Sequence, residues 1–406
     1  MATAAVIALA ACGSSSKGPV ALNWYVFPEP SGSFAKAAAD CSKASGGKYT
    51  ININFLSNAS DQQRQTLVQR LAAGDPSIDI LAMDVDWTAE FASAGWIRPW
   101  TGANAAAASQ GVLPGPLKTA TYNGRLWAAP INSNTEILWY RKDLVPNPPK
   151  TWDQMINDAI QLAKEGKPHL IEEQGAKYEG LVVWFNSLVN SAGGGIVGPD
   201  NKVIVGPSTK IAAQIMKRLA TSPAADPGLN TSEEGPGNNV FDAGQAAFEI
   251  NYPFVWSGTQ ATAPSIFKHM GYAPFPEVVS GMAPKVSIGG YNLGVSSHSQ
   301  HPQLAFDAVR CLIAPQNQIR DAVKGGLAPV SASIYDEPAF EKAYPFHQLI
   351  KNQLENYGIR PQTPEYQDVT LAIQDTLQPA SAIDPNNIVS KLRGEIETAI
   401  KGNSLL

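Results

Sequence analysis

The 406-residue sequence predicts an α/β fold in two lobes, and three observations carry that prediction. Residues 20–95 alternate strand-like and helix-like stretches in the order β-α-β-α-β-α, the pattern that builds a parallel sheet. A second alternation begins after Pro130, which marks the crossing to the second lobe. The composition, 44% hydrophobic and 16% charged, gives a chain of this length enough apolar material for two cores.

Residues 20–27 read as the first strand and run into Pro28, Glu29, Pro30, Ser31 and Gly32, a strand-end loop before a helix at about 33–44. Tyr49, Ile51, Ile53 and Phe55 alternate with Thr50, Asn52 and Asn54, which gives a second strand. Asp61 can cap a helix that contains Gln63, runs through Leu71 and stops at Gly74. The apolar run from Ile78 to Met83 is the mark of a strand buried on both faces. It ends at Asp84, and Asp86 reads as the N-cap of a helix that stops at Gly95. Ligands of open α/β sheets sit at the carboxyl ends of strands, so Asp84 belongs at the rim of a crevice, with Trp87 one turn away. A carboxylate beside an indole suits a sugar: the acid accepts from hydroxyls and the ring covers apolar C–H faces. The competing reading of Asp86 and Trp87 is a capped helix with a core Trp; Asp84 caps nothing.

Farther along, Asn123-Gly124 between strand-like flanks signals a hairpin. Asn132, Ser133, Asn134 and Thr135 precede a strand at 137–140. Thr151 and Gln154 have capping-box spacing and start a helix. The apolar helix at 181–191 ends at Gly193, Gly194 and Gly195, which lack the spacing and the preceding strand of a nucleotide fingerprint. Residues 221–238 read as a loop carrying Glu233 and Glu234, followed by a short helix and a strand with Tyr252 at its end. Gly289 and Gly290 break the strand at 286–295, as where a ligand or another backbone comes close. A helix around 302–313, a loop at 325–329 and mostly helices follow, with Ile359, Arg360 and Pro361 as a non-helical interruption.

The net charge of −5 and a pI near 5.6 argue against nucleic acid as a partner. No apolar run reaches the ~18 residues of a membrane-spanning helix. Residues 2–11 have the length of a signal-peptide apolar region, and Leu9-Ala10-Ala11-Cys12 resembles the bacterial lipobox, although no Lys or Arg precedes the run. The segments expected are a signal peptide at 1–11 and a lipidated tether at 12–19; a buried strand is the alternative. A diacylated Cys12 would hold a soluble body at the outer face of the membrane. With Cys12 set aside, Cys41 and Cys311 remain, and an exported chain with such a pair suggests a disulfide. Phe34, Ala37, Ala38 and Cys41 share one helical face, as do Leu304, Ala308 and Cys311, so both thiols point to a core; two separate buried thiols are the alternative.

A lipobox precedes an α/β body with Ile80-Leu81-Ala82-Met83-Asp84-Val85-Asp86-Trp87, Phe-x-x-Gly-x-Ala-Ala at 241–247, and a Gly-Gly strand before an Ala-Phe helix. Together these resemble the extracellular solute-binding proteins of carbohydrate ABC importers, the maltose-binding-protein class, over residues 12–406. A narrower similarity to actinobacterial trehalose-binding lipoproteins rests on five pieces in order. They are Asp84-Val85-x-Trp87-Thr88-Ala89-Glu90-Phe91, Ser133-Asn134-Thr135, Glu233-Glu234-Gly235, Asn251-Tyr252-Pro253-Phe254 and Arg360-Pro361-x-Thr363-Pro364. The resemblance implies a periplasmic-binding-protein-like clamp: residues 20–128 with 285–332 as lobe 1, and 129–284 with 333–406 as lobe 2. Each lobe is expected to hold a mainly parallel sheet flanked by helices, with hinge crossings near 128–131, 275–285 and 330–335. It further implies a monomer that closes on a neutral disaccharide and docks on ABC permease subunits with their ATPase, touching the membrane only through its lipid. Asp84, Asn134, Glu234, Tyr252, Gly290 and Arg360 fall on sugar-contacting positions, and Glu29 and Gln63 complete the expected ligand-binding set. Trehalose is the expected sugar and maltose the alternative. Where the trehalose binders carry Trp this chain carries Tyr252, and it is shorter between Trp256 and Pro274.

The residue types suit a sugar on their own: carboxylates and a guanidinium make charge-assisted hydrogen bonds, and an Asn both donates and accepts. The rival reading is a glycosidase using Asp84 and Glu234, whose carboxyls would stand ~5–9.5 Å apart. Against it, Arg360 and an Asn nearby should keep both acids ionised, whereas a general acid needs a raised pKa. Of His169, His269, His298, His301 and His347 only His298 and His301 are close in sequence, so no metal is expected, and no cofactor. No Gly-x-Ser-x-Gly nucleophile motif occurs. Asp84, Asn134, Glu234 and Arg360 should be reachable by solvent, so replacing them should leave stability almost unchanged.

Overall fold

The computed structural model describes residues 18–402; the apolar N-terminal run, Cys12 and the tether up to residue 17 lie outside the described residues. Two sheets dominate the fold. The first has five strands, in the order Tyr49–Phe55, Val20–Val26, Ile80–Asp84, Gly289–Val295, Ala129–Asn134. The second has four, in the order Met270–Ala273, Ile137–Arg141, Ala246–Asn251, Leu170–Glu172. The first three βα units of the sequence pair in parallel, as their alternation predicts.

The remainder departs from the mainly parallel expectation. Gly289–Val295 runs antiparallel to both of its neighbours. In the second sheet only Leu170–Glu172 and Ala246–Asn251 are parallel, and the other two pairings are antiparallel. Antiparallel neighbours need no helical crossover, so strands that enter a sheet from elsewhere in the molecule need not follow the βαβ rule. Pro130 likewise does not mark the crossing. It lies inside Ala129–Asn134, opposite Asn292 on the edge of the first sheet, where a residue without an N–H is tolerated. The chain crosses later, through Thr135 and Glu136, into Ile137–Arg141.

Each sheet packs its own core. Helix Ser33–Ala44 buries Phe34, Ala37, Ala38 and Cys41, the stripe expected from its spacing, against Trp24, Ile80 and Leu293. Helix Pro302–Leu312 buries Ala305, Phe306, Ala308, Val309 and Leu312 in the same core. Around the second sheet, helices Trp152–Lys164, Glu179–Ser191, Pro207–Ala220, Tyr366–Leu377 and Ile388–Ile400 enclose Trp152, Trp184, Phe185 and Phe248. Thr151 caps the first of these by accepting from the Gln154 N–H, as its spacing predicts. The Asn123-Gly124 hairpin also forms, with φ of 47° and 70° at its two central residues.

Cys41 and Cys311 are joined in a disulfide across 270 residues, fastening helix Ser33–Ala44 to helix Pro302–Leu312. The bridge closes a long loop, so reducing it should lower unfolding free energy by about 2–4 kcal/mol. Urea melts with and without reductant check this, and intact mass must show no free thiol pair before reduction. Two thiols that alkylate on denaturation without reductant would contradict the bridge.

Candidate functional site

Strand Ile80–Asp84 carries Asp84 to its carboxyl end, beside Tyr291 of the neighbouring strand. Helix Thr88–Ser93 then begins two residues after Asp86, so Asp86 is not its N-cap. Trp87 stacks on Phe91 at 6.0 Å and is 4% exposed, a core residue as the plainer reading had it. The turn leaves the Asp86 carboxylate free to meet Arg360 instead.

Arg360 gathers three acids. Its Nη2 donates to Asp84 Oδ1 at 3.0 Å, and its Nη1 donates to Asp86 Oδ2 at 2.9 Å and to Glu179 Oε1 at 2.7 Å. The Tyr366 hydroxyl also donates to Glu179 Oε1, and Thr370 Oγ1 donates to Glu179 Oε2. The Arg360 side chain is 4% exposed, and Arg360 Nε and Asp86 Oδ1 find no partner among the described residues. Burial pushes the Asp86 and Glu179 carboxyls up, opposed by the Arg360 guanidinium. A narrow recess lined by Val85, Asp86, Thr119, Ile288, Arg360 and Gln362 opens beside the cluster.

A second group adjoins it. Glu234, expected in a loop, is the first residue of helix Glu234–Asp242, and its carbonyl accepts from Asn251 Nδ2 at 2.9 Å. The loop reading failed because Gly235, Pro236 and Gly237 mask the helix start; Pro is tolerated in a first turn, where the N–H it lacks would have had no helical partner. Burial pushes the Glu234 carboxyl up, opposed by hydrogen bonds that include one from the Tyr178 phenol. Against the expectation, Arg360 is not among the groups that oppose this upward shift. Tyr252 follows strand Ala246–Asn251, and its N–H donates to Asn251 Oδ1 at 2.8 Å. Burial raises its phenol pKa, and the fields of Glu136, Glu234 and Asp84 add to this while Arg360 opposes it. Tyr252 thus stands where the two groups meet.

Asp84, Glu234, Tyr252 and Arg360 are therefore brought together. Gln63 is tied to them through Tyr291, whose hydroxyl donates to its Oε1 at 3.1 Å and whose ring stacks on Phe27 at 4.2 Å. Gly290 lies alongside: its carbonyl accepts from the Val85 N–H, and at φ +121° an added Cβ would lie 2.3 Å from Asn132 O. The glycine break thus serves a close backbone approach. Asn134, half-buried at the end of its strand beside Gly289, makes no side-chain hydrogen bond among the described residues. Glu29 stands apart. Its Oε1 accepts from Ser31 N, and its Oε2 from Ser33 N and Oγ, closing the N-terminus of helix Ser33–Ala44. Burial raises its pKa, but these hydrogen bonds outweigh burial and hold the carboxyl below its ordinary value.

Sequence reasoning missed Glu179, Tyr178, Tyr366 and Glu136. The available signal was a lone acid at the head of an apolar helix, Glu179, and another between Thr135 and the apolar strand, Glu136. The assembled groups offer acceptors, a guanidinium and phenol rings, which chemically can hydrogen-bond hydroxyls and cover apolar faces. Among the described residues no group of three or more His, Cys, Asp or Glu is placed to hold a metal ion.

The profile of the bacterial extracellular solute-binding protein family matches residues 29–319. A probable ABC transporter-binding protein of Deinococcus radiodurans is 29% identical over 372 residues, 87% of each chain. The structure of maltose-bound MalE3 of T. maritima superposes with a TM-score of 0.83 at 26% identity, over 93% of this chain and 99% of that one. The GacH receptor of Streptomyces glaucescens shares the fold, with a TM-score of 0.79 at 20% identity over 96% of this chain and 100% of its own. The family and these relatives are substrate-binding proteins, not enzymes, which counts against the glycosidase reading. The chain belongs to the bacterial extracellular solute-binding protein family.

Proposed function

We propose that this protein is the capture subunit of an ABC sugar importer, a monomer that binds a neutral disaccharide, with trehalose as the sugar. The observation that carries the reading is the meeting of Asp84, Arg360, Tyr252 and Glu234, contributed by elements of both sheets. Acids accept from hydroxyls, the guanidinium donates, and the phenol ring of Tyr252 covers a sugar face. Support for a sugar comes from the T. maritima relative, solved with maltose, and for an importer from the name of the Deinococcus relative. Trehalose rests on the five sequence pieces around Asp84, Asn134, Glu234, Tyr252 and Arg360.

In this reading the two sheets are the cores of two lobes that close on the sugar, and the closed form docks on the permease subunits with their ATPase. The lobes take residues 20–128 with 285–332 and 129–284 with 333–406, except that strand Ala129–Asn134 pairs into the first sheet and so is assigned to the first lobe. Cys12 carries the lipid that holds the protein at the outer face of the cell membrane. If Cys12→Ala protein made in a native-like host still partitions with membranes like the parent, that anchor is wrong.

Calorimetry against trehalose, maltose, sucrose and glucose tests the sugar. Asp84→Ala removes an acceptor and should weaken trehalose binding by about 2–3 kcal/mol, roughly 30- to 150-fold. Arg360→Ala should weaken it at least as much. Contrary to the expectation of near-constant stability, it should also destabilise the protein by about 3–5 kcal/mol, because Asp86 would remain buried, and Glu179 partly buried, without their cation. Parent protein that binds maltose tightly and trehalose not at all would overturn the sugar; Asp84→Ala protein that binds as the parent does would remove Asp84 from the site.

A further inference from the structure

Glu136 lies in the crossing between strands Ala129–Asn134 and Ile137–Arg141, and is 0% exposed. Its Oε2 accepts from Ser187 Oγ, on helix Glu179–Ser191, at 2.7 Å, while its Oε1 has no partner among the described residues. Ser187 Oγ in turn accepts from the Ser287 N–H at 3.1 Å, in the return crossing between Met270–Ala273 and Gly289–Val295. Gln353 Nε2 donates to Thr135 Oγ1 at 2.6 Å and to the Glu136 carbonyl at 2.8 Å, which ties the first crossing to helix His347–Glu355. Asn186 donates to Ser287 Oγ at 2.6 Å and to the carbonyl of Ile359, the neighbour of Arg360, at 2.9 Å. One buried carboxyl therefore sits where both crossings meet the segment that supplies Arg360.

The charges around it disfavour ionisation. Glu234, from the head of its helix, brings negative charge; Glu173, just after strand Leu170–Glu172, is a neighbouring carboxyl itself pushed well up by burial and by Glu136, and Tyr252 brings a phenol. Arg360 opposes them, and the helices at 179–191 and 347–355 contribute the Ser187 hydroxyl and the Gln353 amide. An ionised Glu136 would hold a charge in the interior with one hydrogen bond and an unpaired oxygen, which is costly.

We propose that Glu136 is a positioning residue for solute capture: in its neutral form it fastens the two crossings beside Tyr252 and Arg360, and its ionisation loosens them. Burial first, with Glu234 adding and Ser187 and Arg360 opposing, pushes this carboxyl from 4.5 up to about 7. The folded value lies above the unfolded one, so the stabilisation is fully present below about 4.5 and is lost as pH rises through about 7. The effect on sugar affinity rests on the proposed capture by closure; the effect on the crossings does not.

Hydrogen exchange of the ligand-free full chain and its Glu136→Gln variant, followed in peptides covering 133–138 and 284–289, tests it. Gln keeps the acceptor for Ser187 and cannot ionise, and comparison at each pH cancels the intrinsic exchange rate and the other buried acids. Relative to Glu136→Gln, the parent should lose protection in these peptides by about tenfold or more between pH 5 and 7.5. A parent-to-variant ratio that stays constant over that range overturns the proposal. In parallel, trehalose affinity should fall over the same range in the parent and less in Glu136→Gln; equal slopes in the two proteins would also overturn it. If no sugar binds at any pH, the sugar reading fails, and the exchange comparison still decides the role of Glu136.

Discussion

A single buried guanidinium holds the candidate site together. Arg360 is nearly inaccessible and faces three carboxylates, Asp84 at the end of strand Ile80–Asp84 in the first sheet, Asp86 just after it, and Glu179 on a helix packed on the second. Removing charges from water costs several kcal/mol per ion, and the cost is offset only where geometry and extra hydrogen bonds are good. Glu179 has them, from Tyr366 and Thr370; Asp86 keeps one oxygen unpaired. The cluster holds three acids against one base, and burial pushes two of those acids, Asp86 and Glu179, up; in the proposed function it is the donor-rich sugar that meets their acceptors. Sugar hydroxyls supply donors without adding charge.

The first lobe was legible because its signals are local. Apolar runs separated by caps and glycines set the strands Val20–Val26, Tyr49–Phe55 and Ile80–Asp84 and their helices, and the parallel pairing followed. The disulfide was legible because two helix faces each carried one thiol. The later pairings were not legible, because which strand neighbours Ile137–Arg141 or Gly289–Val295 depends on contacts far away in sequence. Pro130 misled for the same reason: a proline reads as a break, but on an edge strand its missing N–H faces no neighbour.

Strand ends and interruptions marked polar residues that the fold gathers at the candidate site. Asp84 ends a buried strand, Tyr252 follows another, and Arg360 precedes a proline; the fold brings all of them together with Glu234. What sequence could not show is which polar groups are consumed by the chain itself. Glu29 sits at a strand end too, yet its oxygens are spent on Ser31 and Ser33. Glu179 and Glu136 gave the weakest signals, single acids against apolar stretches; Glu136 proved fully buried and Glu179 partly buried against Arg360. A buried acid is informative only once its partners are known, and the partners lie far off in the chain.

A crystal structure of the protein soaked or grown with trehalose tests the central claim most directly. The account predicts one disaccharide between the two sheets, with hydroxyls within hydrogen-bond distance of Asp84, Glu234 and Arg360 and a sugar face against Tyr252. A sugar bound elsewhere, with the Arg360 cluster sealed from it, would contradict the account.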